Sequence, residues 1–163
     1  MEKIARFEKI SEDQFALDAG PMVGKDTYAD IKMPRRATKG SAGYDFYAPY
    51  DIELAPGEEM TVHTGIRARI SEGWVLVLCP RSGLGFRYRM QLNNTLGIID
   101  SDYYNAKNEG HIMARIFNDS RQGKTLSIKK GEGFMQGIFL PFGITEDDEA
   151  SGERLGGFGS TTR

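Results

Sequence analysis

Two aspartates in the stretch GIIDSDYYN, residues 97–105, are the side chains best placed for chemistry in this sequence. Asp100 follows the apolar pair Ile98 and Ile99, and Asp102 lies between it and two tyrosines. A carboxylate at the end of a buried strand can accept a proton from one positioned water, as a general base does. Aspartate and serine also commonly form turns after strands, and this stretch alone favours the turn.

A second stretch, PRSGLG at residues 80–85, follows the apolar run Trp74 to Cys79. At the end of a strand, Arg81, Ser82 and the backbone N–H of Gly83 could hold phosphate oxygens. The same residues also suit an ordinary turn with an exposed arginine. The stretch therefore indicates a phosphate contact only together with other motifs.

The C-terminal residues 145–163 are acidic first and then rich in glycine, with few residues able to anchor a core. We expect them to form a mobile C-terminal arm and not a second domain. Its glycine backbone, hydroxyls and guanidinium could grip a phosphate, and its phenylalanine could stack on a base. The residues concerned are Arg154, Phe158, Gly159, Ser160 and Thr161.

The composition excludes several classes of function. With 21 Lys plus Arg against 23 Asp plus Glu, the formal charge is -2, so nothing overall attracts nucleic acid. No apolar run reaches membrane-spanning length, and the N-terminus lacks the apolar core of a secretion signal. Cys79 has no second cysteine to pair with. These features predict a cytoplasmic protein without a membrane partner, in which Cys79 is a buried apolar residue.

Short apolar stretches separated by Gly, Pro, Asn and Asp predict an all-β fold in one domain, residues 1–163. Ile66 to Ile70 and Ile112 to Ile116 have apolar residues at alternate positions, as half-buried strands do. The run Trp74 to Cys79 is continuously apolar and predicts a strand buried on both faces.

Helices are expected to be rare. The 20 glycines favour tight turns over long helices. One exception is predicted near the N-terminus, where Ser11 followed by Gln14 fits a capping box and indicates a short helix over residues 11–18.

Five motifs follow one another along the chain: SAGYDF (41–46), PRSGLG (80–85), NTLGIIDSDYYN (94–105), GEGFMQGIF (131–139) and RLGGFGSTT (154–162). In this order they resemble the five ordered motifs of the trimeric deoxyuridine triphosphatases, the dUTPases. The resemblance covers the chain from about residue 33 to its C-terminus. It implies a jelly-roll-like β-barrel that forms a homotrimer, with the C-terminal arm of one chain closing over a pocket formed by the others.

The resemblance also implies a reaction, the hydrolysis of dUTP to dUMP and pyrophosphate, which keeps uracil out of DNA and supplies dUMP for thymidylate synthesis. Asp100 matches the aspartate that deprotonates the water attacking the α-phosphorus. Tyr103 matches the tyrosine that packs under the deoxyribose and excludes a ribose. Asn94, with hairpin backbone that includes Gly97, matches the residue that recognises the uracil edge.

The remaining substrate contacts implied by the resemblance fall into two groups. Those on the barrel contact or support the phosphates: Arg81, Ser82, Gly83 and Gln136. Those in the arm stack on uracil or grip the distal phosphates: Phe158, then Arg154, Gly159, Ser160 and Thr161.

The implied cofactor is Mg²⁺, held chiefly by the triphosphate of the substrate. The sequence has no cluster with the spacing of metal ligands, because His63 and His111 are far apart. Mg²⁺ needs no protein cage when phosphate oxygens and water fill its octahedral shell. Asp45 of SAGYDF contributes at most through a water, and no direct protein ligand is predicted.

Two alternatives stand beside this interpretation. A dCTP deaminase of the same fold usually carries an HVTA-like stretch before its hairpin and a catalytic glutamate after it, and NNTLGIIDSDYYN has neither. A nucleotide-gated regulatory protein would need little turnover, which the presence of Asp100, Ser82 and Gln136 argues against. Residues up to about 30 and the 105–111 loop exceed the minimal family core and could also bind a protein partner.

Overall fold

The computed structural model describes residues 2–20, 23–152 and 156. Twelve strands occur in this part of the chain: β1 (Ala5–Lys9), β2 (Arg35–Arg36), β3 (Tyr44–Tyr47), β4 (Ile52–Leu54), β5 (Glu59–His63), β6 (Ile66–Ile70), β7 (Trp74–Pro80), β8 (Met90–Leu92), β9 (Gly97–Ile99), β10 (Met113–Asn118), β11 (Leu126–Ile128) and β12 (Gly133–Pro141). The helices are α1 (Glu12–Ala19), α2 (Lys25–Ala29), α3 (Ser82–Tyr88) and a 3-10 helix (Ser101–Asn105).

The strands pair in antiparallel fashion into small sheets around one core. The largest has the order β2-β3-β12-β7-β9, and a second has the order β5-β10-β8. Strand β11 pairs with β4, and β1 pairs with β6. Inward side chains from both larger sheets, among them Phe46, Leu76, Val62 and Ile116, belong to one buried apolar cluster. This architecture confirms the all-β prediction.

Apolar alternation predicted two strands correctly, and a continuous apolar run predicted the wrong burial for a third. Strand β6 buries Ile66, Ala68 and Ile70, and β10 buries alternate residues in the same way. In β7, by contrast, Leu76 and Leu78 are buried, whereas the other residues of the strand are only half-buried. The prediction that Trp74 to Cys79 is buried on both faces is therefore wrong for a single chain, because the described residues cover the second face of β7 only in part.

The N-terminal helix begins where the capping residue predicted. The Ser11 hydroxyl accepts a hydrogen bond from the Gln14 N–H at 3.1 Å, and α1 follows directly. The reciprocal half of the capping box is absent, because the Gln14 side chain donates to Asp18. The Ser11 N–H donates instead to Glu109, far along the chain. The other helices were not predicted, since five to seven residues are too few to establish a helical period.

None of the helices in the described residues is long and apolar enough to cross a membrane.

Candidate active site

Arg81 lies at the junction where β7 ends and α3 begins. Its Nε is 3.3 Å from Asp45 Oδ1, and its Nη1 donates to the Gly133 carbonyl at 3.2 Å. A Cβ on Gly133 would come within 2.7 Å of that Nη1, so a side chain at this position would displace the guanidinium. Two partners thus fix Arg81, whose side chain is still 44% exposed at the surface.

Ser82 and Gly83, the next two residues, form the first turn of α3 and are both exposed. The first helical hydrogen bonds are those from Leu84 and Gly85 to the Arg81 carbonyl. The amides of Ser82 and Gly83 therefore precede the intrahelical bonds, as the first amides of any helix do. PRSGLG is a strand-to-helix junction and not the simple turn weighed in the sequence analysis.

Gln136 lies in β12 opposite Asp45 on one side and Cys79 on the other. Its side chain contacts the Cys79 thiol, and a Cβ on Gly43 would come within 2.5 Å of its Oε1. Burial raises the pKa of Cys79, and the bond to Gln136 offsets only part of that rise. A thiol with a raised pKa is a poor nucleophile. Cys79 is half-buried, and not fully buried as predicted.

The structure therefore brings five residues together where strands β3 and β12 lie beside the end of β7: Asp45, Arg81, Ser82, Gly83 and Gln136. We call these five residues the phosphate cluster.

The segment between β8 and β9 connects two different sheets. Strand β8 pairs with β10, and β9 pairs with β7, but among the described strands β8 and β9 do not pair with each other. Asn94 lies in the exposed turn between them, where Thr95 has a φ of 68°. Gly97 begins β9 with little space for a side chain, since its Cβ would lie 3.0 Å from Leu78 Cβ. Strands β8 and β9 are thus the two arms of an open hairpin, and the described structure has no backbone pairing between them.

Asp100 directly follows β9 and occupies the N-cap position of the 3-10 helix, half-buried. Tyr103, three residues on, is only 4% exposed and packs in the apolar core. Its hydroxyl donates to the His111 carbonyl at 2.7 Å and accepts from Asn108 Nδ2 at 2.8 Å. In a single chain Tyr103 has the contacts of a core aromatic, and its role under a sugar stays a prediction.

Asp100 and the phosphate cluster lie at opposite ends of β7. In the antiparallel ladder Gly97 pairs with Leu78 and Ile99 with Leu76, so Asp100 continues towards Trp74. Arg81 continues from the other end of the strand. At about 3.3 Å per residue, the six steps from Val75 to Arg81 span roughly 20 Å. Within one chain the structure does not bring these predicted site residues together.

The predicted contacts of the C-terminal arm, Arg154, Phe158, Gly159, Ser160 and Thr161, lie outside the described residues. Residues 142–152 are described and are exposed throughout.

One group of residues near Asp100 was missed by the sequence analysis. Ser11 and Asp18 of the N-terminal segment bond Glu109 and His111, which end the loop that follows the 3-10 helix. The partners are 98 and 93 residues apart, so no local pattern connects them. The capping serine was the one local signal at this contact, and it indicated only a helix start.

No group of three or more His, Cys, Asp or Glu side chains within the described ranges could hold a metal ion. Asp45, the one residue considered for Mg²⁺, has its carboxylate paired with Arg81. This donor set suits a cation held by substrate oxygens and water, with the protein in contact only through water.

The dUTPase family model matches residues 29–162. The chain belongs to the dUTPase family. It is 41% identical over 143 residues to the deoxyuridine 5'-triphosphate nucleotidohydrolase of Lactococcus lactis subsp. lactis, covering 86% of this chain and 94% of that protein. The crystal structure of the dUTPase from Streptococcus mutans aligns with a TM-score of 0.65 and 32% identity, over 86% of this chain and 98% of the other.

A further solved dUTPase, a mutant from phage phi11 of S. aureus, aligns with a TM-score of 0.65 and 21% identity over 92% of this chain and 98% of the other. That structure describes the coordination of a structural Mg(II) ion. At this identity the likeness shows the fold alone. The family match and the 41% identity to the Lactococcus lactis protein favour a dUTPase over the dCTP deaminase of the same fold considered from the sequence.

Proposed function

We propose that this protein hydrolyses dUTP to dUMP and pyrophosphate by attack of an activated water on the α-phosphorus. Membership of the dUTPase family supports the substrate. The structural observation that carries the proposal is the open hairpin between β8 and β9, whose arms pair outwards with different sheets. Backbone N–H and C=O groups that face each other without pairing can form hydrogen bonds with the edge of a planar base.

Asn94, in the turn of this hairpin, adds an amide donor and acceptor suited to the uracil edge. Gly97 lets β9, the second arm of the hairpin, lie against Leu78, because a side chain at position 97 would push this strand away. The hairpin therefore supplies the recognition of the base, and Asp100 at the end of its second arm lies where the sugar and α-phosphate would follow.

Asp100 acts as the general base, accepting the proton of the attacking water. In the phosphate cluster, Ser82 and Gly83 offer the hydroxyl and amide donors, and Gln136 offers its side-chain amide. Arg81 is held towards them by Asp45 and Gly133. Mg²⁺ bound to the triphosphate would neutralise charge and orient the phosphates, with Asp45 reaching it only through water.

The distance along β7 supports the proposal that two chains share each site. A base must lie within hydrogen-bonding distance of the water beside the phosphorus, and roughly 20 Å of strand separates Asp100 from Arg81 within one chain. A homotrimer in which Asp100 of one chain faces the phosphate cluster of the next would bring the base close to the phosphorus in spite of their separation along β7. The C-terminal arm, residues 145–163, then closes the site from a further chain. The predicted cytoplasmic location agrees with an enzyme of nucleotide metabolism that has one unpaired cysteine.

The activity is tested by pyrophosphate release from dUTP, dCTP, dTTP and UTP in the presence of Mg²⁺. We expect clear preference for dUTP. Equal hydrolysis of all four nucleotides, or deamination of dCTP, would refute the proposal.

The shared site is tested with two inactive parents, one truncated after Gly143 and one of full length carrying Asp100→Asn. After joint unfolding and refolding, random mixing would place an intact Asp100 beside an intact arm in about a quarter of the sites of a closed trimer. Activity should therefore return from two inactive proteins. Confirmed mixed trimers that stay inactive would show that base and arm come from the same chain.

A further inference from the structure

The N-terminal segment, defined here as residues 5–19, contacts the 100–111 segment that follows the hairpin. The contacts occur at three separate points: Glu8 with Tyr104, Ser11 with Glu109, and Asp18 with His111. All three partners lie within eight residues of each other and within eleven of Asp100, at the end of the hairpin.

The contact between Ser11 and Glu109 is the most specific of the three. The Glu109 carboxylate accepts from the Ser11 N–H at 2.8 Å and from the Ser11 hydroxyl at 2.6 Å. Glu109 has a φ of 57°, a conformation that few residues other than glycine adopt without cost. The two bonds from Ser11 therefore hold a backbone conformation that is unfavourable by itself.

That conformation folds the loop back onto the 3-10 helix. Gly110, with a φ of 70°, passes so close that a Cβ would lie 2.7 Å from the Tyr103 carbonyl oxygen and 2.8 Å from Tyr104 Cα. His111 continues the contact, since its carbonyl accepts from the Tyr103 hydroxyl. Its ring is fully buried, with Nδ1 at 2.6 Å from Asp18 Oδ2 and Nε2 accepting from the Gly65 N–H.

The 3-10 helix is held on its other side as well. The Tyr104 hydroxyl donates to Glu8 Oε2 at 2.8 Å, and the Arg67 guanidinium lies over the Tyr104 ring at 4.3 Å. Arg67 also pairs with Glu8, so that β1 and β6 together fix this ring. Short 3-10 helices have poor hydrogen-bond geometry and are not rigid alone. Here side chains of the N-terminal segment contact both the helix itself, through Glu8 and Tyr104, and the end of the loop that follows it, through Ser11 and Glu109.

We infer that Glu109 is a positioning residue for catalysis, which fixes Asp100 by holding the 100–111 segment against Ser11 of the N-terminal segment. The connection from Glu109 to Asp100 runs through the 3-10 helix, where the Tyr103 N–H donates to the Asp100 carbonyl at 3.2 Å. The inference rests on the proposed role of Asp100. It gives a function to the residues that precede the family match, which begins at residue 29, and to the 105–111 loop.

The test uses Glu109→Gly and Glu109→Gln in the full-length protein. Glycine tolerates the positive φ but removes the carboxylate, so the fold is kept and the contact is lost. Glutamine keeps an oxygen that can accept from Ser11. We expect kcat to fall about tenfold in Glu109→Gly, because small displacements of a catalytic group cost this much or more, with KM for dUTP within about twofold of the unmodified protein. Glu109→Gln should keep most of kcat.

A second pair of variants tests the contact from the other side. Ser11→Asp keeps an N-cap residue for α1 but places a carboxylate against Glu109. We expect kcat to fall here too, and to recover in the double variant Ser11→Asp/Glu109→Gln. Asp30→Asn is the matched control, since it removes another ion pair of the N-terminal region, with Lys130, that does not touch the 100–111 segment. Its kcat should not change.

The outcomes separate the inference from the proposed function. If Glu109→Gly and Ser11→Asp keep full kcat while Asp100→Asn is inactive, Glu109 has no positioning role. If kcat falls only in proportion to a loss of folded protein, or falls equally in Asp30→Asn, the contact is merely structural and the inference is overturned. If Asp100→Asn itself keeps full turnover, the assignment of the base fails instead.

Discussion

The two ends of the chain differ in how they meet the barrel. The N-terminal segment pairs β1 with β6 over five residues and buries Phe15 and Ala19 of α1. Residues 142–152 at the other end are exposed throughout, and the backbone bond from the Phe142 N–H to the Gly73 carbonyl at 3.0 Å is made at their very start. Both segments are rich in charge. Only the first is folded onto its own chain.

The difference lies in apolar anchors. Phe7, Ile10 and Phe15 recur within nine residues of the N-terminal segment, and Phe7 contacts Tyr44 and Phe46 edge-on. The stretch TEDDEASG, residues 145–152, has no large apolar side chain. An extension with anchors becomes part of the fold of its own chain, whereas one without them needs a ligand or another chain to become ordered. Three predictions would break or sharpen this comparison.

The largest effect is expected from truncation after Gly143. Turnover of dUTP should fall by at least about a hundredfold, the usual loss when phosphate-binding donors leave an active site. The midpoint of thermal unfolding should stay the same, because residues 144–152 are exposed and add no core contact. Kinetics and calorimetry on the same preparation measure both quantities. A truncated protein that is destabilised but fully active would show that the C-terminal residues stabilise their own chain and do not act in turnover.

Phe7→Ala should act in the opposite way, on stability and not on chemistry. Its ring centroid lies 5.3 Å from that of Tyr44, 5.4 Å from Phe46 and 5.7 Å from Phe139. We expect the free energy of unfolding to fall by about 2 kcal/mol, less than for a fully buried phenylalanine since Phe7 is half-buried.

Urea denaturation at fixed chain concentration measures this loss. Leu17→Ala is the control, because Leu17 of the neighbouring helix is 77% exposed and should change nothing. Equal effects of the two substitutions would mean that β1 is not an anchor.

The smallest effect concerns pH. Burial lowers the pKa of both His63 and His111, although Asp18 opposes the shift at each. In the unfolded chain these histidines take up protons near pH 6.5 or so, which the folded protein resists. The free energy of unfolding should therefore be complete above about pH 6.5 and decrease as pH falls below it.

Urea midpoints measured from about pH 7.5 to about pH 5 test this dependence, and His63→Leu should reduce the slope. Acidic groups such as Glu8 and Glu109, whose pKa values are lowered by hydrogen bonds, contribute only at lower pH. A midpoint that does not change over this interval would show that the two imidazoles have the same pKa in the folded and the unfolded chain, and a midpoint that rises as pH falls would show that they are protonated in the folded protein.

Local patterns predicted those parts of the fold that local physics determines. Alternation located β6 and β10, and a capping serine located the start of α1. The half-buried face of β7 was not predictable, because a continuous apolar run is the same whether its second face is fully or only partly covered by its own chain. Helix α3 was missed since PRSGLG has too few residues for a helical period.

For the site, the ordered motifs indicated the residues but not their arrangement. Asp45, Arg81 and Gln136 were each named from the sequence, and only the strand pairing shows them side by side. The contact of Ser11 with Glu109 joins positions 98 residues apart and depends on the folded loop. Such long-range contacts leave no periodic signal in one sequence.

The length of β7 also limits what evolution or engineering can do with this enzyme. Because the proposed base and the phosphate cluster lie at opposite ends of one rigid strand, no substitution within a single chain can bring them together. An isolated subunit would stay inactive however well each half-site were improved. If the site is shared as proposed, specific activity should drop when the protein is diluted below the concentration at which it assembles, so that turnover would report the amount of the proposed homotrimer and not the amount of folded chain.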